Sequence, residues 1–109
     1  MPTTYKVLAQ SAPSATTATT LYTVPSATSA VISTITIANR ASSQGSYRIA
    51  VRPGGATLAN THYIAFDVPL QANDTTALTL GITLAATDVI TIYATTADLS
   101  FSVFGSEIT

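Results

Sequence analysis

Apolar residues recur in this chain at every second position, in short runs that proline, glycine, asparagine or aspartate brings to an end. That rhythm belongs to half-buried strands, whose successive side chains point to opposite sides. Ser46–Gly55 (S-Y-R-I-A-V-R-P-G-G) carries it without a break: Tyr47, Ile49 and Val51 share one face, and Ser46, Arg48, Ala50 and Arg52 the other. Pro53 cannot donate to a ladder and Gly54-Gly55 allows a tight reversal, so the run stops there. With strand-like runs on both sides it reads as a central strand. It holds two of the four basic residues, which makes Arg48 and Arg52 the first candidate contact residues.

The remaining runs obey the same period. Val31–Asn39 places Val31, Ser33, Ile35 and Ile37 on one face and Ile32, Thr34, Thr36 and Ala38 on the other; its β-branched residues favour a strand. Tyr63–Leu70 sets Ile64, Phe66 and Val68 on one side, and Pro69 confines it to an edge or an end. Ala77–Leu84 aligns Leu78, Leu80, Ile82 and Leu84, with Gly81 as a bulge or a break. Tyr5–Gln10, Leu21–Val24, Val89–Ala94 and Leu99–Gly105 complete about eight short strands, with no amphipathic helix among them. Such a chain is all-β, an antiparallel, jelly-roll-like β-sandwich. Residues 1–20 read as an N-terminal strand and an extended arm, because Ser11–Thr20 is a Ser/Thr/Ala tract around Pro13. Residues 21–109 form a single β-sandwich domain.

Charge is scarce. Only 8% of the residues are charged, for a net charge of −1, where a soluble domain has about 25%. So few charges leave little repulsion between molecules, and the expected surface is one covered by neighbours. The basic residues Lys6, Arg40, Arg48 and Arg52 all precede the acidic Asp67, Asp74, Asp88, Asp98 and Glu107. Internal ion pairs and complementary faces between copies both follow from that order. Phe104, out of phase with Phe101, points outward and joins Arg40, Arg48 and Arg52 as a candidate interface residue.

No set of residues supports an enzyme. His62 is the only histidine, there is no cysteine, and no G-x-S-x-G elbow is present. His62 and Asp67 lie at opposite parities near a strand start, so a backbone-bonded turn histidine is the expectation. No spacing of ligands suggests a metal, and no phosphate-binding loop suggests a cofactor. Four basic residues give no footprint for nucleic acid, no apolar run approaches a membrane span, and no signal peptide is expected. Sugar stacking on Tyr47, Tyr63 or Tyr93 meets the objection that Tyr47 faces the core.

L-Y-T-V-P at 21–25, I-T-I-A-N-R at 35–40 and Y-R-I-A-V-R-P-G-G at 47–55 come in that order. H-Y-I-A-F-D at 62–67, A-L-T-L-G-I-T-L at 77–84 and L-S-F-S-V-F-G-S-E-I at 99–108 follow them. Together they resemble small virion structural proteins of tailed bacteriophages, cyanophages especially, over roughly residues 20–109. The resemblance implies a noncatalytic particle component. Poverty of charge and a Thr-rich arm suit a capsid cement or decoration protein on the virion surface, made in the host cytoplasm, with the major capsid protein and copies of itself as partners. A tail, baseplate or fibre module, one that touches the host included, is the alternative; a glycan-directed hydrolase or lectin is the third class.

Overall fold

Residues 2–109 are described by a computed structural model. Nine strands form two antiparallel sheets: β1 (Thr3–Ser11), β2 (Thr19–Thr23), β3 (Ser29–Asn39), β4 (Gly45–Arg52), β5 (Tyr63–Leu70), β6 (Thr75–Leu78), β7 (Ile82–Leu84), β8 (Val89–Ala94) and β9 (Leu99–Ile108). One sheet runs β1-β9-β3-β6, with β7 also on β3; the other runs β2-β8-β4-β5. We call them the β3 sheet and the β4 sheet. β6 and β7 are one strand interrupted at Thr79–Gly81, where Gly81 takes φ +64°. Eight strand positions divided between two four-position sheets in this order, with β4 and β5 as the one pair of consecutive positions that share a sheet, make a jelly roll. The block is 45 × 27 × 20 Å, the thickness of two sheets about 10 Å apart with their side chains.

The core between the sheets holds Ile32, Ile35, Ile37, Leu99, Phe101 and Val103 from one side. Tyr47, Ile49, Leu70, Ile90 and Ile92 come from the other. Tyr47 meets Phe101 edge to face, with ring centroids 6.3 Å apart. β4 is central, as its alternation requires, and it ends in the turn Pro53–Gly55, where Gly54 and Gly55 take φ +62° and +73°.

Three readings of phase need correction. In β3 the buried set is Ala30 and Ile32, then Ile35, Ile37 and Asn39, not Val31 and Ser33 with Ile35 and Ile37. Ser33 is an extra residue at a register shift between Ile32 and Thr34, and it reverses the parity as a β-bulge does. In β5 Ile64 and Phe66 are exposed while Val68 packs on the core, because the register against β4 shifts twice and Asp67 takes φ +51°. Leu80 falls in the break after β6 and is exposed rather than buried.

Residues 1–20 are tied in more closely than an arm would be; Met1 lies outside the described residues. β1 pairs with β9 from Thr3 to Ser11, Pro13 is buried, and the Thr16 N–H donates to the Ala94 carbonyl at 2.8 Å. Tyr5–Gln10 is legible as a strand, but Ser11–Thr20 lacks large apolar residues, so its attachment through Pro13 and the Thr16 backbone bond leaves no hydrophobic signal.

Candidate assembly surfaces

The polar ties between the sheets lie at the two ends of β3. At one end, Asn39 is buried, and its Nδ2 donates to the carbonyls of Ser43 (2.9 Å), Leu70 (3.1 Å) and Gln71 (3.2 Å) while Oδ1 accepts from the Ala41 N–H (3.0 Å). At the other, the Glu107 carboxylate receives Lys6 Nζ at 2.8 Å and the Tyr22 hydroxyl of the opposite sheet at 2.5 Å. Hydrogen bonds from Lys6 and Tyr22 hold the Glu107 carboxyl below its ordinary range. Burial, then the bond to Glu107, pushes the Tyr22 phenol up.

The outer face of the β4 sheet carries every ionised group of its strands: Arg48, Arg52 and Asp67. Arg48 Nε donates to Asp67 Oδ1 at 2.6 Å, and its guanidinium lies between two rings, 4.1 Å from the Phe66 centroid and 4.3 Å from that of Tyr93. The bulge in β5 sets both Phe66 and Asp67 opposite Arg48, which permits this arrangement. The bond to Asp67 raises the Arg48 pKa. Tyr63 packs edge to face on Phe66 (4.9 Å) and with Asn60 they border a shallow groove. Arg52 Nε donates to Thr91 Oγ1 (2.9 Å) and its NH1 to the Ala56 carbonyl (2.9 Å), which closes the Pro53–Gly55 turn.

The outer face of the β3 sheet is different in kind. Its strands contain two ionised residues, Lys6 and Glu107, which pair with each other; Glu107 is largely covered, while Lys6 stays half exposed beside a groove on this face. What faces outward is hydroxyl and methyl: Val7, Val31, Thr36, Ser102 and Phe104, with Tyr5 83% exposed beside them. Arg40 sits at the rim, where its Nε donates to Ser100 Oγ and its NH2 to the Ala97 carbonyl, both at 2.9 Å. The groove, of about 560 Å³, crosses this face between Tyr5, Val7, Val31, Ser33 and Phe104, with Lys6 at its border and Gly105 and Ser106 as its floor. The groove follows from the fold: β1 and β3 both bulge beside Phe104, at Leu8 and Ser33.

Of the four candidate interface residues, Phe104 therefore stands on the outer face of the β3 sheet, Arg40 at its rim, and Arg48 and Arg52 on the opposite face, the three arginines each held by bonds within the chain. Sequence reading missed Tyr5, Val7 and Val31, although T-Y-K-V alternates and only the unknown phase hid its outward side. His62 Nδ1 accepts the Ala59 N–H at 3.0 Å and closes the turn Asn60–His62. Among the described residues no three of His, Cys, Asp and Glu cluster as metal ligands would, and no helix is long and apolar enough to cross a membrane.

No protein-family model matches the chain, and no curated protein matches it. Solved structures do. A chain in the structure of infectious bursal disease virus, Gt strain, is similar over 97% of this chain with a TM-score of 0.53 at 13% identity. A chain of the Gx strain is similar over 97% with 0.52 at 15%. This chain spans 30% of the length of each. At such identities the likeness is one of fold: the chain is a two-sheet β-sandwich of the kind found in these virus structures.

Proposed function

We propose that this chain is a non-enzymatic structural protein of a bacteriophage virion, a cement or decoration subunit on the outer capsid lattice whose partners are the major capsid protein and copies of itself. The observation that carries the reading is a jelly roll, shared in fold with chains of a virus, with one broad outer face poor in charge. Desolvating hydroxyl and methyl groups costs far less than desolvating ammonium or carboxylate groups, and interface centres are depleted in charged residues. A tile about 20 Å thick can lie across capsomer junctions, and many weak contacts repeated over a particle add up by multivalency.

Densitometry of purified particles, with heads separated from tails, tests this. The expected result is a copy number in fixed proportion to the major capsid protein, recovered with heads, and heads that rupture at lower temperature without the protein. Recovery with tails in small numbers would move the chain to the tail, baseplate or fibre alternative; absence from particles would overturn both.

A further inference from the structure

Resting on that assembly reading, we infer that the outer face of the β3 sheet is an isologous contact with a second copy of this chain, each copy's Tyr5 ring seated in the other's groove over Gly105 and Ser106. Tyr5 is the most exposed large apolar residue of the described chain, and the groove it borders is also lined by Lys6, Val7, Val31, Ser33 and Phe104. At about 560 Å³ the groove falls within the ~300–1,000 Å³ of sites that enclose small molecules. Knob and hole are neighbours on one face. A two-fold axis passing between them therefore makes two identical insertions at once, the self-complementarity an isologous interface requires. A partner of another sequence would have to supply both a ring and a hole at the same separation.

Charge favours the same choice of occupant. Two β3-sheet faces bring together one ionised strand residue from each copy, Lys6 at the border of the groove, and its ammonium is already paired with Glu107 at 2.8 Å in its own chain. Two β4-sheet faces would bring Arg48 and Arg52 against their own copies. Area sets the strength. Four strands at ~4.8 Å spacing and about eight residues of length give a footprint of roughly 500 Å², and an inserted tyrosine adds about 150–250 Å². The sum approaches the ~800 Å² per partner of a standard interface from below, so the pair is reversible.

Sedimentation velocity of the full chain from micromolar to millimolar concentration tests the contact. The expected result is a reversible shift to twice the chain mass for the wild type. Tyr5→Asp stays monomeric with an unchanged Tm, and Phe66→Asp, on the other face, associates as the wild type does. A wild type that stays monomeric, a Tyr5→Asp protein that still associates, or loss of association in Phe66→Asp alone would each overturn the proposal. Because the chain has no cysteine, mixing Tyr5→Cys and Ser33→Cys proteins under oxidation supplies a second readout. Mixed disulfide dimers are expected, and their failure to form counts against the seating of Tyr5. A solution monomer that is nevertheless stoichiometric with the major capsid protein in particles would remove this contact and leave the virion reading intact.

Discussion

The two outer faces of the sandwich are built on the same backbone plan and treat charge in opposite ways. The β4 sheet keeps Arg48, Arg52 and Asp67 outside and satisfies them there, with a carboxylate, two aromatic rings and backbone carbonyls. The β3 sheet pairs its two charges with each other, Glu107 covered and bonded also to a phenol from the opposite sheet, Lys6 half exposed beside the groove. The first face has its charges satisfied in water, although Phe66 is exposed beside a shallow groove there. The second exposes a ring and a groove that nothing in the chain fills. On the proposed assembly reading, the contact face is marked less by hydrophobicity than by the scarcity of groups that are costly to desolvate.

The largest effect is expected where the β3 sheet is tightest. A Cβ on Gly105 would stand 2.0 Å from the Val31 carbonyl oxygen and 3.1 Å from the Ile32 Cα, both backbone atoms that cannot step aside. Gly105→Ala should cost about 3 kcal/mol or more in urea unfolding, as overpacking against backbone does. Gly54, in the turn after β4, has nothing within 4 Å and a φ of +62°, so Gly54→Ala should cost only about 1 kcal/mol. Equal losses would erase the difference in packing between the two regions. Next in size is Asn39→Ala, which strips a bond from three carbonyls of the loops that join the sheets. A loss of about 2–4 kcal/mol is expected for buried groups left without partners.

These sites also mark how far the sequence could be read. Alternation within Ser46–Arg52 located the central strand and its inward Tyr47 correctly, because that strand has the same parity from end to end on its inner face. The eight strand positions and the break at Gly81 were legible for the same reason: turn residues punctuate the chain. Parity failed at Ser33 and Asp67, where one inserted residue turns the following side chains to the other face without any change in composition. The outer face of the β3 sheet was hidden by the bulge at Ser33, since its members emerge only once Val31 is assigned outward and Ile32 inward. Asn39 looked like the end of a strand; its role depends on Leu70 and Gln71, which only the closed sandwich brings near. The pairings Arg48–Asp67 and Lys6–Glu107 match the internal ion pairs that the order of charges allowed, though partner choice needed the register.

A third contrast concerns pH. Because Glu107 is held below its ordinary carboxyl range in the fold, its contribution is complete above the unfolded-state value near 4.5. It is lost as pH falls through the lowered folded value. Glu107→Gln should therefore flatten the acid limb of a Tm–pH profile and cost about 1.5–3 kcal/mol at neutral pH, the range for hydrogen bonds to a charged group. Tyr22→Phe should weaken the same limb to a smaller degree, since it leaves Lys6 in place. An unchanged acid limb in Glu107→Gln would remove the carboxylate as the tie between the sheets.

The smallest effect is expected on the β4 sheet, and salt is what separates it from the previous one. Asp67→Asn deletes the ionic partner of Arg48 but keeps a residue that tolerates the φ of +51° at that position. The Arg48 guanidinium keeps its place between Phe66 and Tyr93, so the Tm should fall only slightly at low ionic strength. That small difference should vanish near physiological salt, where exposed charges are screened over about 8 Å. The Glu107 side chain is only 13% exposed against 47% for Asp67, so the deficit of Glu107→Gln should persist under the same salt. A deficit of Asp67→Asn that survives high salt would mean that the ion pair itself, not the aromatic stacking, holds β5 to β4, and that the outward charges are as structural as the inward ones.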